Sequence, residues 1–237
     1  MKKRVVIIII IILILTSSII TYNIIKERNT DAYKFKVEYE SLNNEKNSNN
    51  KKYNSISIDK HNPIKYITAK EAIDIIKNKT GIIYFGANWC PWCRNAVPVL
   101  FDVAKDYEYK TIYYLNMDTV KNTFEIKDGK LVKTIKEKKY YYELLNSLDG
   151  YLKEGTYTLT DEDGKVYDTK EKRIYMPFVV AVKKGKIVSS HIGTVDLNKN
   201  QTPYDKLTKK QYKKLYSIYE EMILEVYEAE VCDDTCN

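Results

Sequence analysis

Two of the four cysteines in this 237-residue chain stand three positions apart, in the run Asn88-Trp89-Cys90-Pro91-Trp92-Cys93. Three chemistries use such a pair. A structural zinc site needs four nitrogen or sulfur ligands, usually as two close pairs. Cys232 and Cys236 offer a second pair, but the only histidines, His61 and His191, lie at ligand spacing from neither. A structural disulfide between near neighbours closes a short loop and restrains little of the unfolded chain. The third reading, a redox dithiol, fits best. Cys90 follows an apolar run and stands where a helix opens, so its sulfur meets unpaired N–H groups and the positive end of the helix dipole. Those favour the thiolate, which is the attacking species. Pro91 suits the first helical position, where a missing N–H costs nothing. Cys93 lies one turn on, within reach of Cys90 and more shielded. The expected cycle has Cys90 as nucleophile forming a mixed disulfide and Cys93 resolving it. Trp89 and Trp92 give an apolar rim for an unfolded substrate segment, or else simply pack against a sheet.

The elements that must position this pair are legible around it. "IKYIT" reads as a short strand, and Thr68 with Glu71 as a capping box. Ala69, Ala72, Ile73 and Ile76 make one apolar face of the helix that follows. "IIYFG", residues 82–86, is continuously apolar, as a strand buried on both faces should be. A helix over 91–105 buries Ala96, Val97, Leu100, Phe101 and Ala104, and "TIYYLNM" (111–117) is the next strand. Asp128-Gly129 and Asp163-Gly164 mark hairpin turns, with a helical stripe between them at Tyr141, Leu144, Leu145, Leu148 and Leu152. "FVVAV" and "KIVSSHI" flank "KKG" as an antiparallel hairpin. Thr208 and Gln211 open a last helix that carries Leu215, Tyr219, Met222, Ile223 and Val226. The order describes an α/β domain with helices on both faces of a mixed sheet.

Residues 82–104, "IIYFGANWCPWCRNAVPVLFDVA", resemble the active-site strand and helix of the thioredoxin family, including a proline eight residues after the first cysteine, here Pro98. "YMPFVVAVKKGKIVSSHIG" resembles the same family's cis-proline strand pair. The resemblance implies a thioredoxin fold with no cofactor and no metal. It implies a cis Met176-Pro177 bond whose Met176 backbone faces the active-site sulfur and pairs with substrate backbone. Gly185 would be the hairpin glycine and Gly193 the glycine of the last strand. The chain departs from the family twice. Tyr84 stands where the family often buries an acid that relays a proton for the second cysteine. Residues 119–171 form an insertion before the cis-proline strand, longer than the family's single helix; it reads as a decorated edge or as a partner-selecting lid. Pro91-Trp92 resembles the dipeptide of the periplasmic-type disulfide oxidases more than that of thioredoxin-type reductants.

Net charge is +7, but lysines alternate with acids as in "EIKDGK", which reads as a solvated mixed-charge surface and not as a nucleic-acid face. Lys2, Lys3 and Arg4 precede residues 5–25, a stretch of 21 residues without charge. As a helix it spans roughly 30 Å, the hydrocarbon thickness of a bilayer. It is expected to be an uncleaved signal anchor, N-terminus in the cytoplasm and body outside; a cleaved signal peptide is the alternative. Disulfides persist in that compartment. The expected organisation is an anchor at 1–25, a tether at 26–62, a thioredoxin-like domain at 63–230 and a tail at 231–237. In the tail, Cys232 and Cys236 form a local disulfide or a relay dithiol. Expected partners are exported protein thiols and disulfides, and a membrane or extracytoplasmic electron-transfer partner. A redox-inert docking module of an export system is the competing function.

Overall fold

The fold is that of a computed structural model, which describes residues 2–135 and 140–233; for residues 2–12, 135 and 228–233 only the backbone is described. Five strands form the central sheet: β1 (Ile64–Tyr66), β2 (Gly81–Gly86), β3 (Ile112–Asn116), β8 (Phe178–Lys183) and β9 (Lys186–Ile192), in the spatial order β1-β3-β2-β8-β9. β1, β3 and β2 are parallel, and β8 runs antiparallel to both β2 and β9. This order, with helices on both faces, is the thioredoxin-like arrangement that the resemblance implies. β2 sits third of five, and every one of its residues is buried. Its alternation divides the core. Ile82 and Tyr84 point to one face, with α2 (Asp31–Glu40), α4 (Pro91–Asp106) and α6 (Lys209–Asp233). Ile83 and Phe85 point to the other, with α3 (Ala69–Asn78) and α5 (Tyr141–Ser147).

Local chemistry fixes the element ends. Thr68 caps α3 with the expected box: its N–H donates to Glu71 at 2.8 Å and the Glu71 N–H donates back to the Thr68 hydroxyl at 3.3 Å. Thr208 and Gln211 exchange the same pair of bonds at the start of α6. The β8–β9 turn holds Lys184 and Gly185 at φ 48° and 74°. A side chain at Gly185 would also meet the Lys77 carbonyl at 2.2 Å, so position and conformation both demand glycine.

The expectation of a tether over 26–62 is corrected. α2 buries Phe35 and Tyr39 completely, and Ile58 joins the same core cluster. The Asn-rich stretch after α2 is tied down by its own amides. Asn43 exchanges two hydrogen bonds with the Ile56 backbone, and the Asn62 amide donates to the Ala32 carbonyl at 2.7 Å. Buried Arg94 of α4 donates to the carbonyls of Tyr39 and Asn54 and to the Asn43 side chain. Polar composition concealed this packing, because here the asparagines satisfy backbone groups instead of water. The insertion folds as two hairpins, β4–β5 (Thr123–Lys127 and Lys130–Ile135) and β6–β7 (Thr158–Thr160 and Val166–Asp168), with α5 between them. α5 stops at Ser147, short of the stripe's end, although Leu148 and Leu152 are still buried.

α1 (Lys2–Arg28) covers the expected span, but the side chains of its first part lie outside the described residues. Among the described residues, no helix is long and apolar enough to cross a membrane. The Cys232 side chain and the whole of Cys236 also lie outside the described residues.

If α2 belongs to the core, Phe35→Ala should cost about 3–5 kcal/mol of unfolding free energy in denaturant titration. A loss below about 0.5 kcal/mol, the range for exposed positions, would return α2 to the status of a tether.

Candidate functional site

Cys90 is the N-cap of α4, with Pro91 in the first turn. Its backbone lies in the extended region while its sulfur accepts the Cys93 N–H at 3.4 Å. This is how a serine or aspartate caps a helix, with sulfur in the role of oxygen. Hydrogen bonding with the Cys93 side chain is the largest influence on the Cys90 thiol and holds its pKa below the ordinary thiol value. Burial opposes that shift, while the Cys93 and Trp92 backbone N–H groups and the charge of Lys121 reinforce it. Cys93, fully buried, goes the other way. Burial pushes its thiol well up, and Cys90 adds to the shift through a hydrogen bond and through charge. Both are free thiols in this structure. The pair is therefore split into one sulfur disposed to ionise and one disposed to keep its proton.

The other expected residues gather around them. Met176-Pro177 is a cis peptide, and the Cys90 thiol donates to the Met176 carbonyl at 3.6 Å. The Gly193 N–H donates to the Pro177 carbonyl at 2.7 Å, tying the end of β9 to this bend. Trp92 and Met176 line a groove of about 810 Å³ together with Gly193, Val195 and, from the insertion and α6, Lys153 and Lys214. Trp89 is 38% exposed. Its indole N–H donates to Asp118, and Lys121 stands over the ring at 4.5 Å while pairing with Asp118 at 2.6 Å. Asp118 and Lys121 thus position the rim, and nothing in their spacing announced it.

Beneath Cys93 lie residues that the sequence left without a role. The Tyr84 hydroxyl is close enough to the Cys93 sulfur to restrain the rise of its pKa, and it lies 2.8 Å from the Tyr39 hydroxyl. Tyr84 reaches there by lying along its own strand over Gly86. A methyl group at Gly86 would fall 2.3 Å from the Tyr84 hydroxyl. Tyr114 packs edge-on to the Tyr39 ring and donates to Glu38 at 3.1 Å. Glu38 also accepts from Tyr66 and from the Asn116 amide. Tyr219 of α6 is buried close enough to Cys93 to feel its charge, and its hydroxyl has no partner among the described residues. The Phe35–Tyr39 spacing was the one available sign that α2 turns a face inward. Nothing in the sequence showed that this face continues to the site.

No family model matches this chain, and no curated protein matches it. Among solved structures the chain is similar to thioredoxin O2 from Arabidopsis thaliana in the oxidized state, at 16% identity and a TM-score of 0.33. That likeness covers 68% of this chain and 94% of that one. The fold assignment rests on sheet order and strand direction, not on this likeness.

Gly86→Ala should displace Tyr84 from Cys93 and lower stability by about 1–3 kcal/mol, the usual cost of overpacking. Combining it with Tyr84→Val should cost less than the sum of the two single changes, because the clash is between those two residues. Strict additivity in thermal unfolding would contradict the contact.

Proposed function

We propose that this protein is a thiol–disulfide oxidoreductase in which Cys90 is the nucleophile and Cys93 the resolving thiol. The observation that carries the reading is the placement of Cys90: its sulfur caps a helix N-terminus, lies 3.6 Å from the carbonyl of a cis-prolyl bend and is one turn from a fully buried thiol. In the reducing direction the Cys90 thiolate attacks a substrate disulfide. One substrate sulfur bonds to Cys90 and the other leaves with the electron pair. Cys93, once deprotonated, attacks the Cys90 sulfur, closes the Cys90–Cys93 disulfide and releases the second substrate sulfur as a thiolate that takes up a proton. The oxidising direction runs these steps backwards. Trp89, Pro91 and Trp92 shape the rim and helix start, while Met176 and Pro177 offer the backbone edge for an extended substrate segment.

The proposed substrates are exported or cell-surface proteins. The charge-free run at 5–25 behind Lys2, Lys3 and Arg4 supports a signal anchor that holds the domain outside the membrane. An electron-transfer partner in the membrane or beyond it would reset the dithiol after each turnover.

Insulin reduction with dithiothreitol, or refolding of a reduced disulfide protein, tests the assignment. The wild-type chain should accelerate either reaction and Cys90→Ser should abolish the acceleration. Cys93→Ser should accumulate a mixed disulfide through Cys90. Wild type and Cys90→Ser equally idle in both assays would instead describe a docking module.

A further inference from the structure

The groove beside Cys90 carries charge that dithiol exchange does not use. Trp92, Met176, Ile192 and Ile218 give it an apolar lining, and three ionised side chains, Lys153, Lys214 and Asp196, line it as well. Lys214 and Asp196 stand 4.0 Å apart with both side chains exposed, so each is open to another partner. Lys153 has no carboxylate partner among the described residues; its ammonium stands over the Tyr175 ring at 5.4 Å. His191 also lines the groove, but burial holds its pKa below the ordinary value, so it adds no charge at neutral pH. The ionised lining groups therefore leave one net positive charge.

The two lysines come from elements that the core holds in place. Lys153 belongs to the insertion. Its neighbour Leu152 is buried among the α3 and α5 side chains, and the Tyr151 hydroxyl donates to the Ile187 carbonyl of β9 at 3.3 Å. Tyr175, under the Lys153 ammonium, directly precedes the cis Met176-Pro177 bond, and the Met176 carbonyl accepts from the Cys90 thiol. A cation from the insertion thus stands beside the bend that faces the nucleophile. Lys214 lies in the second turn of α6. The Gln211 amide of the turn before it donates to the Asp196 carbonyl at 2.9 Å, fixing the start of α6 to the segment after β9.

We propose that this groove selects extended, cysteine-bearing segments of acidic character, with Lys153 of the insertion as the main selecting charge and Lys214 as the second. The inference rests on the dithiol reading and deepens it by naming the substrate class. A segment laid along the Met176 backbone brings its own cysteine to Cys90. Its side chains alternate in direction, so residues near that cysteine enter the groove while others face solvent. Apolar neighbours meet Trp92 and Ile192, and carboxylates meet the two ammonium groups. A basic segment brings like charges together instead.

Exposed ion pairs are individually weak, so two of them support a preference of about fivefold, carried mainly by the association rate and weakened by salt. The insertion then acts on substrate choice through one residue, Lys153, while the dithiol chemistry stays with α4.

The test uses the reduced full-length chain in detergent and synthetic peptides whose single cysteine is joined to thionitrobenzoate by a disulfide. Attack of the Cys90 thiolate on the peptide sulfur releases thionitrobenzoate with the bonding pair, and stopped-flow absorbance reads the rate. Three peptides differ only in the residues flanking the cysteine, which are glutamate, glutamine or lysine. At low salt the glutamate peptide should react about fivefold faster than the glutamine peptide, and the lysine peptide slower than both. The spread should narrow at about 1 M salt, where screening acts within about 3 Å. Lys153→Gln should bring the glutamate-to-glutamine rate ratio toward one, and Lys153→Glu should bring it to one or below. The chain's net charge of +7 attracts acidic peptides in general. Lys105→Glu controls for this, since it changes net charge as Lys153→Glu does but lies about 22 Å along α4 from Cys90. It should keep the wild-type ratio. Equal rates for the three peptides in wild type, or the same loss of ratio in Lys105→Glu as in Lys153→Glu, would overturn the selective groove while leaving the dithiol intact. No thionitrobenzoate release from any peptide in wild type would overturn the dithiol reading and the groove together.

Discussion

The structure turns on an inequality between two sulfur atoms one helical turn apart. Cys90 receives backbone N–H groups at the first turn of α4, whereas Cys93 is sealed against β2 and α6. Stabilising the Cys90 thiolate does two things at once. It creates the attacking species, and it favours the reduced dithiol over the disulfide, which moves such a pair toward the oxidising end of the thiol scale. The central sheet serves this inequality. β2 delivers the chain to the helix start, and the cis-prolyl bend before β8 brings the Met176 carbonyl to 3.6 Å from the Cys90 sulfur.

Burying the second thiol makes it a poor nucleophile until its proton leaves. Beneath that thiol the chain packs phenols, among them Tyr84 and Tyr39 with their hydroxyls 2.8 Å apart. Tyr84 fits only because Gly86 leaves room beside it, and Tyr39 comes from a helix that precedes the sheet in sequence. Arg94, directly after Cys93, donates to the Tyr39 carbonyl and to the Asn-rich segment. The residue following the buried thiol therefore holds in place the helix that supplies Tyr39. Removing α2 would expose the Phe35 and Tyr39 contacts as well as the floor of the site.

What could be read from the sequence was what local pattern encodes. The Cys90–Cys93 spacing, the Thr68 and Thr208 caps, the apolar run of β2 and the glycine turns each act within a few residues, and each stands where its pattern placed it. Met176-Pro177 was legible only through a resemblance. The parts that were hidden depend on long-range pairing. Lys121 reaches Trp89, Glu38 reaches Tyr114, and Asn43 reaches both Ile56 and Arg94. A polar, asparagine-rich run has the same composition whether water or backbone satisfies its amides, so residues 41–62 gave no sign of being packed. In a chain with 22 tyrosines, the few phenols that line the site could not be told from the rest.

The claim beneath all of this is that α4 ionises Cys90 ahead of an ordinary thiol. Its most direct test is the rate of iodoacetamide alkylation at Cys90 as a function of pH, read by mass spectrometry on the reduced chain. The rate should rise through an inflection below about 8.5, the value for an unperturbed cysteine, with Cys93 unlabelled over the same range. An inflection at or above that value would mean that the helix does not hold the thiolate, and the redox account would fail with it.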